Sequence, residues 1–271
     1  WERGGGSNMD NAEFTRAGYE TPPETLTRNA QDQARLLLCC GVGSAAHGNY
    51  WAPGLLGTNC FAHLTASGQD IRGSVHVDMR LIQEEPVSLS ESLTIAGRTE
   101  AVEPAPKGDM LHLAFDFSRD DGTVPVRCRL GVLMPDPDRM AGPRTAGGPP
   151  ADDRAGFIKR AERQLVPDDV TGYGGAGNPI HLDPDFAQSL GFRAPIAHGV
   201  MTAVWLLGAL DRPEAPSKLD AAFVFKRPVF WDDRMELWIE DGEMSGFGRY
   251  RALNADGKTT AEMTVANINY L

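Results

Sequence analysis

Two long stretches of the chain alternate apolar and polar residues. The first is VHVDMRLIQEEPVSLSESLTIAG, residues 75–97, and the second is AAFVFKRPVFWDDRMELWIEDG, residues 221–242. Alternation rich in β-branched and aromatic residues predicts strands buried on one face. Pro86 and Pro228 cannot donate to a ladder, so each marks a strand edge or a break between two strands. A hairpin pattern follows each stretch. The first turns at Asp121-Gly122, inside HLAFDFSRDDGTVPVRCRLGVLM; the second turns at Asp256-Gly257, inside RYRALNADGKTTAEMTVANI. Asp-Gly between alternating segments is a strong hairpin signal.

One helical pattern precedes each set of strands. Asn29 to Cys40 (NAQDQARLLLCC) has Asn29 as a cap and Gly41 as a stop. His198 to Leu210 is apolar nearly all round, which predicts a buried helix. The shared order of helix, proline-broken strands and Asp-Gly hairpin predicts an internal duplication, two α+β units each with a sheet wrapped on one helix. Pro135 to Arg154 (PDPDRMAGPRTAGGPPADDR) has no apolar period and reads as the linker, so the units are expected at 9–134 and 155–271. Residues 1–8 (WERGGGSN) read as a vector-derived tail ahead of Met9.

Composition narrows the function. The 271 residues hold 26 Lys+Arg against 37 Asp+Glu, a formal net charge of -11. An acidic surface repels phosphate backbones and anionic lipid, so neither nucleic acid nor membrane is an expected partner. No apolar run reaches the roughly 20 residues of a membrane span. The four cysteines, Cys39, Cys40, Cys60 and Cys128, form no CxxC pair, which fits a reducing, cytoplasmic setting. No His/Cys/Asp cluster has metal-ligand spacing, so no metal is expected.

The densest chemistry follows the linker, in GYGGAGNPIHLDPDFAQSLGFRAPIAHGVMTA, residues 172–203. Gly and Pro there allow a close approach of backbone to a ligand. Asp183 to Leu190 reads as a short helix, with Asp183 as cap and Gly191 as stop. His198-Gly199 falls at the amino end of the apolar helix, where free amides can receive negative charge. His181 is thus a candidate acid/base and the Gly199 N–H a candidate oxyanion donor. A tight loop with two ordinary core histidines fits the same residues, and the pattern alone leaves both readings open.

The segment resembles the motif of the MaoC-like dehydratases, the (R)-specific enoyl-CoA hydratase family. The matching residues are Gly177-Asn178-Pro179-Ile180-His181, then Asp183, Gly191-Phe192 and Ile196-Ala197-His198-Gly199. The resemblance implies a double hot-dog fold, with the motif kept only in the second unit. It implies reversible syn hydration of a trans-2-enoyl thioester to an (R)-3-hydroxyacyl thioester. No cofactor is implied; coenzyme A or the phosphopantetheine of an acyl carrier protein would carry the substrate. His181 takes the acid/base role, Asn178 a supporting polar role and the Gly199 N–H the thioester-oxygen role. His198, with Lys226 and Arg227 beside Pro228, are candidate substrate contacts, the last two for carrier phosphates. A monomer or a homodimer would fit.

The chain departs from the family at one place. Five residues before His181 the family has Asp, and this chain has Ala176; the Ser or Thr two residues earlier is replaced by Gly174. Three readings follow: an engineered Asp→Ala change, natural divergence to another hot-dog reaction, or a binding module without chemistry. Asp183 is a cap before it is a substitute base. In the first half, His47 and His63 read as loop histidines; the resemblance implies that the first unit holds the acyl chain, with residues 60–64 a candidate wall of its tunnel. His76 and His112 alternate within strands and read as structural.

Overall fold

The computed structural model describes residues 14–43, 45, 47–136, 139, 153–174, 177–210, 215–242 and 247–271. The expected tail at 1–8, most of the linker and Ala176 lie outside the described residues. In the first half the elements run β1 (Glu24–Leu26), α1 (Ala30–Cys39), α2 (Leu56–Ala66), β2 (Val75–Gln83), β3 (Leu93–Ala105), β4 (Gly108–Ser118) and β5 (Val126–Pro135). In the second half they run β6 (Phe157–Gln164), α3 (Pro167–Tyr173), α4 (Pro184–Ser189), α5 (Gly199–Gly208), β7 (Pro216–Phe225), β8 (Arg234–Glu240), β9 (Gly248–Asn254) and β10 (Thr259–Tyr270).

The strands form one antiparallel sheet in the order β1-β3-β4-β5-β2-β7-β10-β9-β8-β6. Read outward from the β2/β7 seam, the two halves are the same list. β2 matches β7, β5 matches β10, β4 matches β9, β3 matches β8 and β1 matches β6. This is the internal duplication that the sequence predicts, and the fold is a double hot dog. The Asp-Gly turns join β4 to β5 and β9 to β10, with Gly122 at φ 84° and Gly257 at φ 71°. Those positive values are what Gly supplies at no steric cost.

Each half-sheet curls on one buried helix. In the second half it is α5, as expected. Every residue from Val200 to Leu206 is buried, so the helix has no solvent face to make it amphipathic. In the first half the structure corrects the sequence reading. The helix after Asn29 is real, and the Asn29 side chain accepts from the Asp32 N–H. Yet α1 lies outside the curl and packs against its counterpart α3. The enclosed helix is α2, with Leu56, Gly57, Cys60, His63 and Leu64 buried.

The two enclosed helices meet near the seam. A Cβ on Gly54 would lie 2.8 Å from the Leu207 side chain. One on Gly57 would lie 2.9 Å from the Met79 sulfur and 3.1 Å from Val200. Glycine at these positions therefore sets how closely α5 approaches the first half.

Candidate active site

β2 and β7 pair from Gln83↔Leu219 to Asp78↔Val224, and there the ladder stops. β2 carries a register shift against β5 between His76 and Asp78. Beyond that point residues 74–76 and 225–229 part, and a cleft opens between them over the amino end of α5. Including its open mouth, the cleft encloses about 940 Å³. Asn178, His181 and the Ile196–Gly199 segment line it. The sequence thus brings together four predicted site residues, Asn178, His181, His198 and Gly199, in one concavity.

Each is placed by local chemistry. Asn178 is 5% exposed and caps the Pro179–His181 turn, accepting from the Ile180 N–H through Oδ1 at 3.3 Å. The same oxygen accepts from the Gly73 N–H at 3.1 Å, and Nδ2 donates to the Ser74 carbonyl at 3.4 Å. Its amide is therefore occupied in fastening the loop to the first half. Gly177 has φ 82°, and a Cβ there would lie 2.6 Å from Thr65 on α2. Only glycine meets both demands.

His181 donates from Nδ1 to the Ile196 carbonyl at 2.8 Å, which leaves Nε2 as the acceptor nitrogen. Its ring stacks on His198, with centroids 3.5 Å apart and planes at 24°. His198 donates from Nε2 to the Gly174 carbonyl. Burial pushes His181 down to about 4, and the Ile196 carbonyl only partly opposes this. Burial, then the neighbouring His181, holds His198 well below the usual imidazole value. Both rings are neutral at pH 7, so stacking them costs no charge repulsion.

Gly199 opens α5, so its N–H has no carbonyl one turn earlier to bond. That amide and the positive end of the helix dipole point to where negative charge would be stabilised. Asp183 behaves as a cap: its Oδ1 accepts from the Asp185 and Phe186 N–H groups at the start of α4. Lys226 and Arg227 line the rim and are exposed. Lys226 sits 3.5 Å from Glu262, and Arg227 donates to the Thr259 carbonyl.

Some cleft residues escape a reading of the sequence, Phe225 and His76 among them. Phe61 of α2 and Phe225 of β7 line the wall, so the 60–64 segment does contribute one side chain to it. His76, expected to be structural, also lines the cleft. Strand alternation assigns His76 to a face, but the end of β2/β7 pairing that opens the face is invisible in sequence. His63 is not in a loop; it lies on α2, held between Thr21 at 2.7 Å and Glu24 at 2.9 Å. Among the described residues, no three His, Cys, Asp or Glu side chains cluster as a metal site would require, and no helix is long and apolar enough to cross a membrane.

A duplicated curled sheet with a histidine-lined cleft at one enclosed helix defines a double hot-dog protein with one equipped unit. Residues 154–263 match the family model described as "MaoC like domain". An (R)-specific enoyl-CoA hydratase of Aeromonas caviae is 39% identical over 67 residues, covering 23% of this chain and 49% of the relative. A 3-hydroxyacyl-thioester dehydratase X of Mycobacterium tuberculosis is 23% identical over 180 residues, covering 63% of this chain and 61% of the relative. The matches thus span less than two thirds of either relative's own length. The crystal structure of HtdX from Mycobacterium tuberculosis superimposes with a TM-score of 0.74 at 20% identity, over 89% of this chain and 97% of that one.

Proposed function

We propose that the protein adds water reversibly to a trans-2-enoyl thioester, or removes it from the (R)-3-hydroxyacyl thioester, in the cleft over α5. The observation that carries this reading is the placement of His181. Its Nδ1–H is committed to the Ile196 carbonyl, and its ring lines the cleft beside the first amide of α5. The bare Nε2 is then the base that takes a proton from water as the water oxygen bonds the β-carbon, and the resulting imidazolium returns that proton to the α-carbon on the same face, which completes the addition and restores the neutral ring. Burial keeps it unprotonated at neutral pH, as a base must be. The thioester oxygen gains negative charge as the enolate forms, and the Gly199 N–H with the helix dipole receives it. Asn178 positions His181 through the turn it caps. Lys226 and Arg227 at the rim face the carrier's phosphates. The relatives' printed activities support the substrate class.

Ala176 lies five residues before His181 in the chain, the position to which the family resemblance assigns a second acid/base. That observation favours a second reading, a site that binds acyl thioesters and hydrates them slowly or not at all. Loss of one general acid–base group costs about 10²–10⁴-fold. The test is hydration of crotonyl-CoA and crotonyl-pantetheine by this chain and by Ala176→Asp, alongside direct binding. Slow turnover that the Asp variant raises at least a hundredfold supports the hydratase reading. Tight binding with no turnover in either supports the binding module. Absence of both binding and turnover rejects the thioester class.

A further inference from the structure

The cleft holds a third imidazole, and it comes from the other half of the molecule. His76 lies on β2, in the unit that lacks the motif, just past the last β2/β7 pair. Its Nδ1 would be 3.1 Å from a Cβ on Gly199, so the ring stands against the first residue of α5. Neither ring nitrogen has a hydrogen-bond partner, and both are sealed from solvent. The Asp78 backbone lies near but forms no hydrogen bond of normal geometry. A buried polar group with no partner calls for an explanation, because native interiors almost always satisfy such groups.

The surroundings supply one. The His76 ring is flanked by Phe61 at 5.0 Å and Phe225 at 4.5 Å between centroids, and all three line the cleft. An acyl thioester lying over Gly199 must pass these two phenyl rings. Parting them uncovers the imidazole beside the Gly199 amide, and the ligand's oxygen is the acceptor the ring lacks.

We propose that His76 is a catalytic residue of this site, donating a ring N–H to the substrate's thioester oxygen alongside the Gly199 N–H. The step moves no proton and breaks no bond: a neutral imidazole polarises the carbonyl and stabilises the enolate. Neutrality suits that role. Burial pushes His76 down to about 3, and the positive helix end it faces also disfavours an imidazolium. A neutral imidazole by a helix amino terminus is a known carbonyl electrophile. The inference rests on the thioester reading above and adds that the first unit completes the site.

The closing experiment reads the carbonyl directly, so it does not depend on turnover. Butyryl-CoA, which cannot be hydrated, carries a ¹³C label at the thioester carbon, and difference infrared spectra are taken bound to wild type, His76→Phe and His76→Gln. Phenylalanine keeps the ring packing without a donor, and glutamine keeps a donor. The expected result is a carbonyl stretch lowered in wild type, less lowered in His76→Phe, and recovered in part by His76→Gln. In the Ala176→Asp background, His76→Phe is expected to lower kcat about 10²-fold with KM little changed. A stretch equal in wild type and His76→Phe overturns the role of His76 and leaves the hydratase reading standing. Failure of wild type to bind butyryl-CoA overturns the thioester reading and this inference with it. If His76→Phe does not fold, His76→Gln decides: full loss of the lowered stretch despite a retained amide donor counts against the proposal.

Discussion

The two units share a fold and differ in what sits at the amino end of the enclosed helix. In the first, α2 begins behind Leu55 and Leu56, which are 0% and 1% exposed. In the second, α5 begins behind His198 and Gly199, on the wall of a cleft. The outer helices even place a histidine alike: His47 follows the end of α1 by eight residues, and His181 follows the end of α3 by eight. Both are pushed down to about 4 by burial. Only His181 reaches the cleft. The same backbone frame is thus plugged with leucine on one side and opened into a cleft on the other. The difference between the units lies in the few residues grafted on the frame.

The sharpest way to break this comparison is to exchange what each helix end is for. Leu56→Ala removes a fully buried side chain and is expected to cost about 2–5 kcal/mol in urea unfolding. Gly199→Ala is expected to change stability by under about 1 kcal/mol, since the tight neighbour is the edge of a ring at 3.1 Å. It should still lower turnover about tenfold to a hundredfold by pushing His76 and Phe225 from their places. If both substitutions act mainly on stability, the contrast between the units fails.

Acid should act through buried histidines in both units. His47, His76, His181 and His198 all have folded values below the ordinary imidazole value. In the window from about pH 6.5 down to about 4 the unfolded chain therefore binds more protons than the folded one. Stability is full above that window and falls as pH drops through it. Urea midpoints at pH 7.5 and 5.0 measure the loss. His76→Phe should remove part of this dependence, and an unchanged slope would contradict neutral burial in the cleft.

A smaller effect tests the tie between the halves. Asn178→Ala strips partners from the Gly73 and Ile180 N–H groups and is expected to cost about 1–3 kcal/mol. Activity should fall with it, because the turn it caps carries His181. The smallest effect belongs to the rim. Lys226→Ala should weaken CoA substrates by at most about 1 kcal/mol, less at high salt, and leave pantetheine substrates unchanged. A pantetheine substrate that suffers equally would remove Lys226 from phosphate recognition.

How far the sequence could be read follows the same division. The Asp-Gly hairpins, the all-apolar α5 and the Asp183 cap were legible because local rules alone decide them. α2 was not: LGTNCFAHLTA is rich in small and polar residues, and it is helical because the curled sheet buries it. β6 (FIKRAERQ) is almost wholly exposed, so it shows no alternation to find. In the site, His181, His198 and Gly199 were legible because they lie close together in one segment. His76 was not, because its role depends on where the β2/β7 ladder stops, which is set by strands far apart in the chain.

The most direct test sets the two units side by side in the Ala176→Asp background. Crotonyl-CoA hydration is measured after His181→Ala and, separately, after His47→Ala. The account predicts a loss of at least about 10²-fold for His181→Ala and a rate within a few-fold of the parent for His47→Ala. Equal losses, or a rate indifferent to His181, would contradict it.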